Sequence, residues 1–584
     1  MDTATVIECF RNKSILITGS TGFVGKMLVE KILRVQPDVK KLYLLVRSSL
    51  SQCWIPLKAF EKKLFDVLRD DHRANFNSFI QAKISPLPGD IVHDNFALNS
   101  STIERLSQEI DVIVSVAAFY EMYDNALASN SLGVANMCQF ANKCANLKML
   151  LRVSTAFVVG EQEGLILEKP FNTGEKLRGY HFNIQSELKL VDSVKSKLRI
   201  QSSTDKLVKK TMKELGLKRA RHFGWPNVYS LTKAKGEMLL GDLGRDLPVV
   251  IVRPSIITST FQDPMPGWTE GTRTIDMLYV AYNDQKLPCF IADPIVLFDL
   301  IPGDMVINAM MVAMASHWDQ QGTQVIYHVV SGNRNPLRGS VTVESMYQYF
   351  SENPRVTKDG KIVKNKRVLT FKIFANFHLY MIVRYKLPLE MLHAVNVFGG
   401  MLSQRYKKLS RGYSFLIPVA MLYVPYVFFK GRFDDTNMSK LWAGTAAGQN
   451  DDSLVSCDPA CINWVLYLVN THIPAVLEYA KNNNQMKQAG NIKVLQGGLN
   501  DVTDADIDTD GTDTDGGAET GGEVDGDNVV SVYEQNNHID HPECTTVTIW
   551  SPIDIDDADV LTPRSGKAPK SRDEPDFVFF FVGW

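Results

Sequence analysis

Tyr229 and Lys233 stand four residues apart in Tyr229-Ser-Leu-Thr-Lys233, a spacing that puts both on one face of a helix. A phenol so placed can give a proton to a developing alkoxide while a hydride arrives from a nicotinamide ring. Phenols ionise near pH 10, so the adjacent ammonium is expected to lower that value and favour the phenolate. The spacing recurs in Tyr282 with Lys286 and in Tyr426 with Lys430, so position has to separate the three. Ser154 and Thr155 close the apolar run Met149–Val153 and would present hydroxyls at the carboxyl edge of a sheet, where ligands of open α/β folds bind. Tyr229 follows about 75 residues later, just before the next apolar run, and is the tyrosine expected to meet them. Tyr426 falls in a later domain, and Tyr282 beyond the last run read as a core strand. The plainer alternatives are an ordinary amphipathic-helix residue for Tyr229 and a strand-end cap for Ser154 and Thr155.

Those groups need a bound nicotinamide and elements to hold it. Ile15-Leu-Ile-Thr18-Gly19-Ser-Thr21-Gly22-Phe23-Val24-Gly25 reads as an apolar strand running through a glycine-rich turn into a helix, Lys26 to Leu33. Gly19 allows the sharp turn, and Gly22 lets backbone N–H groups approach a pyrophosphate. Gly25 lets the helix pack on the strand, and Thr21, Phe23 and Val24 complete the phosphate-binding turn. The G-x-x-G-x-x-G spacing points to the short-chain dehydrogenase/reductase class. The second strand ends Leu42-Tyr-Leu-Leu-Val46-Arg47-Ser48, where an acidic residue would bind the ribose 2′-hydroxyl of NAD. Arg47 and Ser48 suit a 2′-phosphate instead, so NADPH is expected, the alternative being a solvated arginine at a strand end. Pro88-Gly89-Asp90-Ile91 follows a third strand and borders the adenine unless it is a plain turn.

Short apolar runs at Leu42–Val46, Val112–Val116, Met149–Val153 and Pro248–Val252 alternate with helical patterns at Ser131–Cys144 and Val228–Leu240. The alternation predicts an α/β fold with a doubly wound parallel sheet, of the extended short-chain dehydrogenase/reductase Rossmann type. Residues 1–335 are expected to form the NADP-binding domain with substrate-binding insertions, and 340–481 a mostly helical C-terminal domain. Leu369 to Val383, for example, looks helical throughout. Residues 482–584 are expected to be a disordered acidic tail, because Asp501 to Asp527 holds eleven acidic residues and no Lys or Arg.

With 584 residues and 45% apolar content, the chain can bury a large core. A net charge of −2 with dispersed basic residues argues against nucleic acid as a partner. Eight scattered cysteines fit reduced thiols. No metal is expected, since Cys457 and Cys461 lack a second ligand pair, and Asp506–Gly511 starts like a calcium loop but has Gly517 at its twelfth position. The first strand begins near Ser14, so neither a secretory leader nor a plastid transit peptide is expected ahead of it. Phe415–Phe429 is a fifteen-residue apolar run broken by Pro418 and Pro425, short of the roughly twenty a span needs. It reads first as a buried helix-turn-helix, with insertion into a bilayer surface as the functional alternative.

Several motifs together resemble a known family, the alcohol-forming fatty acyl-CoA reductases in their plant form, related to the male-sterility reductases. They run from Lys13 to about Ala480 and include Ile17–Gly25, Pro88–Ile91, Val153-Ser-Thr-Ala-Phe157, Glu168-Lys-Pro-Phe171, Tyr229–Lys233 with Gly236-Glu-Met238, Val252-Arg-Pro-Ser255 and Asp263-Pro-Met-Pro-Gly-Trp268. Phe433-Asp-Asp-Thr-Asn437 and Asn470-Thr-His-Ile-Pro474 resemble the family's carboxyl-terminal domain. The resemblance implies reduction of a long-chain acyl-CoA, or an acyl carrier protein thioester, to a primary alcohol with two NADPH. Thr155 and Tyr229 would hold the carbonyl and Lys233 the ribose. The early first strand and the scattered cysteines lead to the cytosolic side as the expected location, with peripheral association at an endoplasmic reticulum surface as a further expectation. Ala117–Asp124 is about three residues shorter than the family pattern, so a catalytically impaired surface or interaction protein is the competing expectation. Another member of the superfamily, such as an epimerase, is a third.

Overall fold

The computed structural model describes residues 2–47, 63–120, 122–170, 183–356, 360–363, 366–399, 402–446 and 455–483. Expectations resting on Ser48, Glu121, Phe171 and everything from 484 onward, the acidic stretch included, lie outside these residues.

The apolar runs assemble into one parallel sheet of β1 (Ser14–Thr18), β2 (Lys41–Val46), β3 (Ile84–Pro88), β4 (Val112–Ser115), β5 (Met149–Val153), β6 (Val249–Pro254) and β7 (Gln324–Val329). Their order is β7-β6-β5-β4-β1-β2-β3. The strand direction of winding reverses at β1, between β4 and β2, which is where open α/β sheets bind ligands. β7 was not foreseen: Gln324, Tyr327 and His328 interrupt its apolar signature. Tyr282 therefore precedes the last sheet strand, where the sequence had suggested it followed.

Both faces of the sheet are covered, as a parallel sheet requires. Ile15, Ile17, Val112, Val114, Leu151, Val250 and Val252 pack into one core. The alternate residues Leu16, Ile113, Leu150, Val249 and Ile251 pack into another. That alternation is the period of two of a strand buried on both sides. Helix α1 (Phe23–Val35) and the almost wholly buried α5 (Gly303–Ser316) close the first face, while α2 (Gly133–Ala141) closes the second. Between them in sequence, α3 (Val228–Leu243) carries Tyr229 and Lys233, and α4 (Ile275–Asn283) follows a long loop.

The later residues return to the earlier ones through short parallel pairings. Gly431–Phe433 pairs with Gly164–Ile166, and Leu369–Phe371 pairs with Cys289–Ile291. The second pairing corrects the helix expected from Leu369: the helix begins at Phe374, because Leu369–Phe371 is taken up by a strand. Phe415–Phe429 is likewise no helix-turn-helix. It belongs almost entirely to one helix, α6 (Ser403–Val427), which runs through Pro418 and Pro425. Each proline costs that helix a backbone hydrogen bond. Burial of Leu416, Val419, Ala420, Tyr423 and Val427 along one face offsets the loss. Among the described residues no helix is long and apolar enough to cross a membrane.

Candidate active site

The turn after β1 is built for a phosphate. Gly19 has φ +71°, and a Cβ there would lie 2.6 Å from Ala117 N at the end of β4. A Cβ on Gly25 would lie 2.3 Å from Gly19 O, so neither position accepts a side chain. Gly22 caps α1 with no side-chain hydrogen bond, which leaves the first-turn N–H groups of Phe23, Val24 and Gly25 to an incoming anion. Thr21 and Gly22 are exposed, and Ser20 Oγ is buried without a hydrogen-bond partner among the described residues. The residues present therefore fit a dinucleotide diphosphate. Arg47 lies exposed at the end of β2 and forms no ion pair among the described residues. Asp90 Oδ1 accepts the N–H of Val92 at 3.2 Å, and Ile91 is buried with its carbonyl held by Asn136 Nδ2 at 3.0 Å. The Pro88–Ile91 segment is thus a pinned turn at the edge of the same cleft.

Asn227 starts α3 by accepting the N–H of Ser230 at 2.9 Å, which turns Tyr229 and Lys233 toward the tip of β5. Lys233 Nζ donates to the carbonyl of Val153 at 2.9 Å, immediately before Ser154 and Thr155. The same ammonium lies 5.9 Å from the centroid of the Tyr229 ring. Thr155 Oγ1 accepts the N–H of Phe157 at 3.4 Å, and Ser154 Oγ is buried with no partner. The strand tip, the phenol-bearing ring and the ammonium are therefore assembled around Val153. Opposite them, the rim Ala117–Tyr120 is clamped by Asn130, whose side chain bonds both the N–H and the carbonyl of Phe119, at 2.9 and 2.8 Å. This fixes Tyr120, whose ring stacks on Tyr229 with centroids 4.6 Å apart.

One expectation is reversed. Burial pushes the Tyr229 phenol well above its ordinary value, Tyr120 adds to the effect, and Arg152 only partly opposes it. Burial likewise pushes Lys233 well below its ordinary value, and the Arg152 charge deepens that shift. The helical spacing alone suggested a phenol made acidic by its neighbour. In the fold Lys233 is spent on a carbonyl, and desolvation dominates. Tyr229 is thereby kept in the protonated form that a proton donor needs. Arg152 itself lies within β5, fully buried, bonded to Ser115 Oγ at 2.6 Å and Asn130 O at 3.2 Å, and burial pushes it down to about 10.

The other two Tyr/Lys pairs come apart. Tyr282 donates to Lys366 O at 2.7 Å while Lys286 pairs with Asp284, and Lys430 pairs with Glu163. Tyr426 nevertheless reaches the site, because its hydroxyl accepts from Asn227 Nδ2 at 2.8 Å. Tyr120, Asn130 and Arg152 were missed by the sequence, and Tyr426 was set aside as belonging to a later domain. Asn227 alone carried a local signal, as an N-cap ahead of a helical run.

A second polar cluster holds the site's frame. Arg253 and Glu237 form a buried ion pair at 2.5 Å, each side chain 1% exposed. Glu168 accepts the N–H groups of His328 and Asn437, and burial pushes its carboxyl up to about 7. His328 Nδ1 lies 2.7 Å from Asp434 O, so the Glu168, Val252–Ser255 and Phe433–Asn437 motifs meet at β7.

Residues 17–310 match the family model described as male sterility protein. The chain is 43% identical to the protein named Alcohol-forming fatty acyl-CoA reductase of Simmondsia chinensis, over 82% of this chain and 99% of that protein. It is 42% identical to Fatty acyl-CoA reductase 1 of Arabidopsis thaliana, over 81% of this chain and 98% of that one. A solved reductase domain of a nonribosomal peptide synthetase from Mycobacterium tuberculosis is 16% identical with a TM-score of 0.47, covering 83% of this chain and 96% of that one.

Proposed function

We propose a function from the premise that this chain belongs to the male sterility protein family, that of the alcohol-forming fatty acyl-CoA reductases. It reduces a long-chain or very-long-chain acyl-CoA to the primary alcohol, with NADPH as cofactor. Bound NADPH would supply the hydride for each of the two reductions. Thr155 and Tyr229 hold the thioester carbonyl and polarise it. The thiol leaves, the aldehyde stays in the cleft, and Tyr229 gives its phenolic proton to the alkoxide oxygen of the second step. Lys233 and the buried Arg152 set the charge beneath the phenol, Ser154 supports the strand tip, and Lys233 would also hold the cofactor's ribose. Thr21, Gly22, Phe23, Val24 and Gly25 would hold the diphosphate, Arg47 the 2′-phosphate, and Asp90 and Ile91 the adenine side. The observation that carries this reading is the meeting of Lys233, Tyr229 and the β5 tip at Val153 O, on the carboxyl edge of the sheet that also bears the glycine turn. The test is alcohol formation from palmitoyl to very-long-chain acyl-CoA. Absence of alcohol at every chain length, from folded protein that binds NADPH, rejects it.

Peripheral membrane association is part of the proposal. Leu379, Val383 and Met391 are 61%, 58% and 71% exposed along one helical stretch. Residues 372–427 carry seven Lys and Arg against the single acid Glu390, in a chain of net charge −2. That combination suits an anionic lipid surface, such as the cytosolic face of the endoplasmic reticulum. Flotation with phosphatidylserine vesicles checks it, and recovery of all protein in the unbound fraction removes it.

A further inference from the structure

The loop between β6 and α4 lies over the start of α1 and is tied there. Lys31 pairs with Asp263 at 2.5 Å and Lys26 with Glu270 at 2.6 Å. Trp268 stacks on Phe23, with ring centroids 5.1 Å apart and 5° between planes. The carboxylate of Asp304 accepts the N–H groups of Phe261, Gln262 and Asp263 at 2.8 to 3.0 Å. Near the loop's end, the Arg273 guanidinium lies 3.9 Å from the centroid of the Phe23 ring and donates to Glu270 O. It is also within electrostatic reach of Tyr120, the ring stacked on Tyr229. Phe23 opens α1 at the phosphate turn, so Arg273 lies beside that turn.

Arg273 is half-buried, yet it forms no ion pair among the described residues. The nearby carboxylates have other neighbours: Glu270 pairs with Lys26, while Asp276 takes the Arg273 backbone N–H on Oδ2 and lies 3.1 Å from His472 Nε2 with Oδ1. A guanidinium withdrawn from water is stable when an anion completes its fork, and diphosphate oxygens match that geometry. We propose that Arg273 binds a ligand diphosphate, gripping it beside the N-terminus of α1. The reductase reading supplies two sources of that group, the dinucleotide and the coenzyme A of the substrate, and the proposal rests on that reading only in naming them.

The arginine is set by the carboxyl-terminal motif. Its backbone N–H donates to Asp276 Oδ2 at 3.1 Å, and Asp276 Oδ1 faces His472 Nε2. His472 Nδ1 in turn lies 3.0 Å from Ser259 Oγ, so Asn470–Pro474 fixes both ends of the loop. His472 is a positioning residue in this scheme.

The test is calorimetric titration of the full chain with NADPH, NADH and free coenzyme A, comparing wild type with Arg273→Met and Arg273→Lys. Arg273→Met should weaken binding about 10- to 100-fold, the range expected for a lost charged hydrogen bond, and Arg273→Lys should recover part of it. An unchanged unfolding midpoint shows that the fold is intact. Equal losses for NADPH and NADH with coenzyme A unaffected assign the cofactor diphosphate, and a loss confined to coenzyme A assigns the substrate diphosphate. A loss for NADPH without one for NADH points to the 2′-phosphate and overturns the proposal, as does wild-type affinity for all three. Binding needs no turnover, so a protein that makes no alcohol but still binds through Arg273 refutes the reductase reading alone.

Discussion

Replacing Tyr229 by Phe removes one oxygen atom and leaves the surrounding geometry in place. The ring stack on Tyr120 and the bond from Lys233 to Val153 O do not involve that oxygen. NADPH binding should therefore be unchanged. On the proposed mechanism the reaction loses its proton donor, and general acid catalysis of this kind is worth about 10²- to 10⁴-fold, or roughly 3 to 5 kcal/mol of barrier. The assay follows NADPH oxidation together with alcohol and aldehyde by mass spectrometry. Aldehyde should accumulate relative to alcohol, because the second step relies on the phenolic proton. Burial holds the phenol well above its ordinary value, so wild-type turnover should show no loss from phenol ionisation between about pH 7 and 9. An Y229F enzyme with near wild-type kcat, or one whose defect lies wholly in NADPH affinity, refutes the reasoning.

Three further outcomes follow from the structure. Gly25→Ala drives a Cβ to 2.3 Å from Gly19 O and 2.7 Å from Ser20 Cα, so it should abolish dinucleotide binding by titration while the rest of the sheet still folds. Arg47→Ala should cut the preference for NADPH over NADH about tenfold, read from the two kcat/KM values, since the proposed charge-assisted contact of an exposed side chain is removed. Glu168 is raised from 4.5 to about 7 by burial, so the fold binds its proton more tightly than the unfolded chain does. Its contribution to stability is complete below about pH 4.5 and is lost as pH rises through 7, a change of about 3 kcal/mol. Glu168→Gln should flatten that part of the urea-unfolding stability profile, and an identical slope in the variant contradicts the assignment.

The parts legible in the sequence were those encoded locally. Gly19, Gly22 and Gly25 in their spacing, and the apolar runs of β1, β2, β4, β5 and β6, name a dinucleotide fold because strand period and turn sterics act over a few residues. β7 escaped because Gln324 and His328 break its pattern, and His328 is polar for the sake of Asp434 and Arg253, both distant in the chain. Leu369–Phe371 became a strand because Cys289–Ile291 offered a free edge. Propensity cannot report such a partner. Tyr120, Tyr426 and Arg273 reach the cleft from three separate segments, and no spacing rule connects them. The direction of the Tyr229 shift was misjudged for a related reason, since burial is a property of the assembled fold.

The ties between Asn227 and Tyr426, Glu168 and Asn437, and Asp276 and His472 have a bearing on protein engineering. In each, a group near the reaction centre or its frame is anchored by a residue more than 190 positions further along. A chimera spliced near residue 335 exchanges all three anchors at once, so grafting a foreign carboxyl-terminal half to alter chain-length preference demands that Tyr426, Asn437 and His472 travel with it.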